Sequence, residues 1–295
     1  MRFVYLARFV LNRIEREVKV MWNRRTKSGL FLITLMSIFL TTMASNRVSA
    51  QLLSKIHEDL SASVTLDTNT NYIFRGVTVV DDPVFQPDVS ITFKDLTLGI
   101  WWNVCLSEAI DQGGVGTAPA ANEIDYYIDY TYEYKIISAS LGWIYYEFPH
   151  TGLPDTQEVY FGLGLNFPLN PSVTMYWDID DNAGGLYWLF SVSQDIDIAS
   201  LTLTPSLGLG LSNPEHSSYY AGVDMDSTHV MDMNLGLNVG VPLGRFMEKV
   251  GATMNLHLNY SFFPGTGFRQ QIERQPKPIN TRDAFYMGLG FSLNV

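Results

Sequence analysis

Strict two-residue alternation constrains this chain more than anything else in it. From residue 59 to the C-terminus, apolar and polar or small residues trade places along segments of about ten residues. In Leu201–Leu211, the residues Leu201, Leu203, Leu207, Leu209 and Leu211 share one face, and Thr202, Thr204, Ser206, Gly208 and Gly210 share the other. In 231–241, Met231, Met233, Leu235, Leu237, Val239 and Val241 oppose Asp232, Asn234, Gly236, Asn238 and Gly240. The same split runs through 250–261 and 283–295. A helix cannot hold a period of two, so the chain is read as all-β.

Twelve such segments are predicted, near 59–74, 84–94, 96–105, 122–134, 136–148, 156–167, 171–180, 184–193, 199–211, 229–241, 249–261 and 283–294. Long or polar connections at 75–83, 106–121, 149–155, 212–228 and 262–282 largely alternate with short ones around Asp95, Lys135, Leu169 and Asp195–Asp197. The link 242–248 is intermediate, and 181–183 is short for its class. An even strand count with alternating loop lengths predicts one antiparallel up-and-down transmembrane β-barrel. No stretch after residue 50 has the length and apolarity of a spanning helix. In lipid only a closed barrel then satisfies every backbone polar group.

Ahead of the barrel stands one continuous apolar run, Gly29–Ala44. Basic residues Arg24, Arg25 and Lys27 precede it, and Val48-Ser49-Ala50 follows as a small-x-small cleavage pattern. Residues 1–50 are read as a signal peptide with a long basic n-region, cut after Ala50. An uncleaved anchor is the alternative, but the run is short for one. A start at Met21 would give a more ordinary signal. Residues 51–58 are read as a short periplasmic lead-in and 59–295 as the barrel. This predicts a Gram-negative outer-membrane location with both termini in the periplasm.

The leader is basic, with 9 Lys/Arg against 2 Asp/Glu, and the remainder has a net charge of about −18. Such a surface argues against nucleic acid as a partner. Cys105 is the only cysteine, so no internal disulfide forms. Hydrophobic content of 46% beside 17% charged suits a wall facing lipid on one side.

Trp102, Tyr126, Tyr145, Phe161, Trp177, Trp188, Tyr260 and Phe285 fall on the apolar face. Amphipathic rings favour the headgroup level, so Trp102, Tyr126, Tyr145, Trp177, Trp188 and Tyr260 are read as an aromatic girdle. A soluble sandwich core is the rival reading of those rings. The opposite face carries Asp67, Asn69, Asn71, Gln86, Asp88, Asp125, Asp129, Glu133, Asp178, Asp180, Asp232, Asn234, Asn238, Asn255, His257 and Asn259. Asp67, Arg75, Asp88, Asp125, Asp129, Asp178, Asp232, Asn255 and His257 are the pore-lining candidates. Arg75 and Gly76 sit where strand 1 leaves the membrane, suiting either a turn or a pore mouth.

The opening hairpin resembles a known family. Asn71-Tyr72-Ile73-Phe74-Arg75-Gly76-Val77-Thr78, then Asp82-Pro83-Val84-Phe85-Gln86-Pro87, is similar to the start of the TorF-family porins. Trp101-Trp102 and Glu123-Ile124-Asp125-Tyr126-Tyr127 extend the likeness. The Ala/Gly-rich segment 106–121 departs from it by its length. The resemblance implies an outer-membrane barrel more firmly than any solute.

These features lead to an expected porin-like channel passing small polar solutes or ions, with modest cation preference from acidic walls. The expected partners are the outer-membrane bilayer, the barrel-assembly machinery and small polar solutes. The rival class is a structural or adhesin-like barrel working through its loops. An outer-membrane lipid hydrolase is a third reading. It needs a Ser-His-acid set, and His257, with Ser261 and Asn255 on its strand, points to the lumen, away from lipid. His150, His216 and His229 offer no such set either. Asp178, Asp180, Asp181 and Asn182 are dense in oxygen, but the spacing lacks the glycine and glutamate of a calcium loop. No enzyme activity, metal or cofactor is expected.

Overall fold

The computed structural model describes residues 59–107, 120–244, 251–277, 279 and 281–294. The signal segment, the lead-in 51–58 and most of the 106–121 connection lie outside them. Twelve long strands form the wall. In chain order these are β1 (Leu60–Asn69), β4 (Val84–Phe93), β5 (Leu96–Cys105), β6 (Ala120–Tyr134), β7 (Ile137–Glu147) and β8 (Thr156–Leu165). They continue with β9 (Ser172–Asp178), β10 (Leu186–Ser193), β12 (Leu201–Ser212), β13 (His229–Pro242), β14 (Gly251–Phe262) and β15 (Asp283–Asn294). Each pairs antiparallel with the next in the wall, and β15 pairs back to β1 through Asp67↔Gly290 and Leu66↔Phe291. The cylinder is therefore closed and leaves no strand edge bare.

Three short strands are additions. β2 (Tyr72–Phe74) and β3 (Val77–Val80) form a separate two-stranded hairpin, and β11 (Ile196–Ile198) doubles back on β12 at a turn. Two short helices, α1 (Pro214–Ala221) and α2 (Thr266–Ile272), lie in connections. The first predicted strand ran to residue 74, but the wall strand stops at Asn69. Thr70 and Asn71 redirect the chain, and the rest of the motif folds on itself as the hairpin.

Residues paired across neighbouring strands face the same side. The cross-strand register therefore carries one parity around the ring, from Asp67↔Gln86 through Asp88↔Trp101 to Trp101↔Asp125. The outer parity is apolar and open. Leu141, Phe161, Leu163, Phe285 and Leu289 are each about half exposed, a pattern that suits lipid rather than water. Trp102, Tyr126, Tyr145, Trp177, Trp188 and Tyr260 share this outer face near one end.

A break in parity occurs in β13. A register shift between Leu209 and Leu211 lets Met231 join Asp232 inside. The alternation alone had set Met231 outward. It is fully buried in a cluster with Val77, Tyr187 and Phe263. A bulge adds one residue on one strand, so the two neighbours can both turn inward.

The two ends of the cylinder differ. At one end the connections are 94–95, 135–136, 166–171 and 194–200, and the described chain ends lie there too. Lys94 and Lys135 accept positive φ in two-residue turns. At the other end stand the hairpin and both helices. We call these the turn end and the loop end.

Candidate functional site in the barrel lumen

At the loop end the lumen is filled by the β2–β3 hairpin. Arg75 and Gly76 are the two central residues of its turn, and both have positive φ, 48° and 83°. That condition defines a type I′ hairpin turn, which gives the strands the twist they need. A Cβ on Gly76 would collide with Asp232 and Phe263, so only glycine lets the turn sit against β13.

The turn delivers Arg75 into the centre. Its two terminal nitrogens donate to Glu158 Oε1 at 2.7 Å and Oε2 at 2.6 Å, a bidentate pair whose carboxylate is fully buried. Tyr146 adds a hydroxyl to the same carboxylate at 2.8 Å. The guanidinium also lies over the rings of Phe74, Tyr176 and Tyr187, each within 5 Å of the centroid. Arg75 Nη1 is 2.9 Å from His216 Nε2, and His216 Nδ1 is 3.1 Å from Ser212 Oγ. A guanidinium can only donate, so Nε2 accepts and the neutral imidazole carries its proton on Nδ1. Burial, then Arg75, then His229 push the His216 pKa well below its ordinary value, in agreement with that tautomer.

α1 holds His216 in place. Asn213 caps the helix by accepting from the His216 amide, Pro214 begins it, and Gly222 ends it at φ 62°. Asn213 also donates to Gly184 O and accepts from Leu186 N, tying α1 to the start of β10. Val77 of the hairpin, Phe263, and Phe268 and Ile272 of α2 complete an apolar core at this end. A second cluster joins Tyr72, Val80, Val84 and Cys105. Beside it runs a polar chain in which Asn69 donates to Gln86, Gln86 to Asn103 and Asn103 to Asn122.

Below the hairpin lies a cavity of about 440 Å³. Trp101, Ile144, Leu189 and Tyr286, which line it, sit three or four residues in from the loop end of their strands. Asp125 and Asp232 also face it. Tyr187 donates to Asp232 at 2.9 Å, whereas Asp125 Oδ1 is buried with no hydrogen-bond partner.

Further toward the turn end, inward tyrosines bridge strands to carboxylates. Tyr127 donates to Asp88, and Tyr160 donates to Asp129 at 2.6 Å. Both rings lie over a glycine on the next strand, Gly99 and Gly142, where a Cβ would block them. Asp67 meets His257 at 3.5 Å. Beyond these the inner row becomes small, with Ser138, Ser140, Gly164, Ser172, Ser191, Ser206 and Gly236.

The sequence-derived lumen candidates divide accordingly. Asp67, Asp88, Asp125, Asp129, Asp232, Asn255 and His257 lie on the inner face of the wall. Asp178 does too, but it takes Thr156 Oγ1 and the amides of Asp180 and Asn182, so it builds the 179–185 turn. Arg75 is no wall residue; it belongs to the hairpin and is paired with Glu158. Glu123, Glu158 and the inward tyrosines were missed. Their signal was parity: Tyr127 alternates with Asp125 and Asp129, and Glu158 with Tyr160 and Gly162.

Ser212 and His216 are in contact, but both are fully buried, and the Ser212 hydroxyl donates to Asn213 O. That geometry gives no nucleophile access to a lipid ester.

No protein-family model and no curated protein sequence matches this chain. Several solved structures align with most of its length at low identity. A NanC porin aligns with a TM-score of 0.46 at 10% identity, over 78% of this chain and 98% of its own. LpxR from Salmonella typhimurium gives 0.44 at 9%, over 78% and 99%. The outer membrane channel DcaP of Acinetobacter baumannii gives 0.35 at 9%, over 80% and 96%. What the structure itself shows is a closed twelve-stranded antiparallel β-barrel with an apolar outer face.

Proposed function

We propose that this protein is a porin-like outer-membrane channel for small polar solutes or ions, with modest cation preference, of the kind its likeness to the TorF-family porins implies. One observation carries the reading. The twelve wall strands contain Asp67, Asp88, Glu123, Asp125, Asp129, Glu133, Glu158, Asp178 and Asp232 on inward positions but not one Lys or Arg. A lumen lined by one sign of charge concentrates the opposite ion. The Arg75 guanidinium, which enters this lumen from the hairpin, is neutralised by Glu158. In this reading the β2–β3 hairpin is the constriction, the loop end faces outward, and both chain ends lie in the periplasm. The protein acts without enzymatic chemistry. Its partners are permeant solutes and the machinery that assembles it.

Planar-bilayer recording of the protein extracted from membranes, across a tenfold KCl gradient, tests this. The expected zero-current potential has the sign of K⁺ over Cl⁻. An anion-signed potential or a silent bilayer overturns the reading. A second reading has support in the folded cap, where α1, α2 and the hairpin share an apolar core. Such a cap suits a barrel that binds through its loops. Binding to a surface partner by a barrel with no conductance would select it.

A further inference from the structure

We propose that the cavity beneath the hairpin binds a small organic cation, an ammonium group carried on an apolar body. This rests on the channel reading and gives its solute a chemical class. Two buried polar atoms that line or face the cavity lack partners. Ser261 is 2% exposed and its Oγ has no hydrogen bond; Asp125 Oδ1 is likewise buried and unpaired. A buried carboxylate oxygen without a donor is costly, and a ligand N–H or N⁺ would offset that.

Charge points the same way. Asp125 and Asp232 both line the cavity, and among the described residues the only cationic side chain lining it, Arg75, is committed to Glu158. The site thus holds two acidic side chains with no cation of their own. Its other walls are mainly apolar and aromatic and include Trp101, Tyr176 and Tyr286, beside the aliphatic Ile144 and Leu189. Aromatic rings favour cations, above all weakly hydrated ones. Arg75 already demonstrates this preference next door, stacked on Tyr176 and Tyr187. A bare metal ion would instead need six or more oxygen ligands. A volume of about 440 Å³ is in the range of small-molecule pockets.

The test is calorimetric titration of the whole protein, extracted in a maltoside detergent, with choline and with 3,3-dimethyl-1-butanol. The second compound has the same shape with carbon in place of the charged nitrogen. Choline is expected to bind one to one, and the neutral isostere at least tenfold more weakly. Asp125→Asn should weaken choline at least tenfold, and Trp101→Leu, which keeps the charge, several-fold. Asp195→Asn, at a distant turn, should leave affinity unchanged. Absent choline binding, equal affinity for the isostere, or indifference to both Asp125→Asn and Trp101→Leu overturns the site. Cation-selective conductance without choline binding removes this site and leaves the channel reading. Choline binding in a protein that conducts nothing removes the channel reading and leaves the site.

Discussion

At the loop end, the inward positions carry Glu158, Tyr146, Tyr187 and Asp232, all but sealed from solvent. At the turn end, the same inward parity carries Ser138, Ser140, Ser191 and Ser206, reached by solvent. One alternation rule therefore makes two different interiors. Antiparallel pairing runs to both ends, and the wall differs only in the register shifts at Asn103/Val104 and Leu209/Leu211, both at the loop end. The difference between the interiors lies in side-chain size and in what the connections insert. Strand pairing holds the barrel, whereas a local core with its own buried ion pair holds the plug. If so, the plug can be damaged while the wall stays closed.

The sharpest way to separate them is Arg75→Ala. It leaves the Glu158 carboxylate buried without its cation, a loss of about 3–5 kcal/mol. Hydrogen exchange of residues 70–83 should accelerate by orders of magnitude, with exchange in β14 and β15 unchanged. Single-channel conductance should rise. Arg75→Ala with Glu158→Gln should cost less than the two separate losses together, because they share one interaction. Global unfolding of the barrel by Arg75→Ala would refute the separation of plug from wall.

Gly76→Ala attacks the same hairpin through its backbone. The residue has φ 83°, and the added methyl would meet Asp232 and Phe263. A cost of about 1–3 kcal/mol is expected, read as a lower denaturant midpoint for opening of the loop end. Equal stability of Gly76→Ala and wild type would mean that the turn is not seated as described.

How far the sequence disclosed these two regions follows from the same contrast. The wall was legible because lipid on one side and water on the other leave no choice but period two. Eleven of the twelve predicted segments coincide with single wall strands to within a few residues. The exception, 59–74, holds β1 and then β2, because Tyr72, Ile73 and Phe74 have strand propensity without a place in the wall. The plug was not legible, because its partners are far apart in sequence: Arg75 meets Glu158, 83 residues on, and His216, 141 residues on. Local signals existed. Asn213-Pro214 and Gly222 are the cap and stop of a helix within a stretch read only as a polar loop. Arg75-Gly76 between short apolar runs is a turn, though arginine is a rare choice for positive φ. Met231 was misplaced because a bulge leaves no mark in the alternation.

Acidification should reach the plug and spare the wall. His216 is neutral in the fold, with its pKa pushed well below the ordinary value by burial, Arg75 and His229. When the cap opens, the freed imidazole can take a proton, so the open state binds more protons at low pH. Stability of the cap is therefore full above the ordinary imidazole pKa and falls progressively as the pH drops below it. The measurement is hydrogen exchange in α1 against pH, corrected for intrinsic rates. His216→Asn should flatten the dependence. A cap that tightens as pH falls would contradict the tautomer assigned from Arg75 and Ser212.

The smallest effect belongs to the turn end. Ser206 is exposed to the lumen and pairs with Ser193 and Gly236 through backbone alone. Ser206→Ala removes a hydroxyl that water already solvates, so stability should change by no more than about 0.5 kcal/mol. Conductance should also hold, because the narrow passage is placed at the hairpin and not in this small-residue vestibule. Ser206→Trp fills the vestibule, and it tests that placement from the other side. If the constriction is at the hairpin, even the larger ring should lower conductance less than Arg75→Ala raises it. A block by Ser206→Trp that matches or exceeds that rise would move the limiting section to the turn end, and the two interiors would exchange roles.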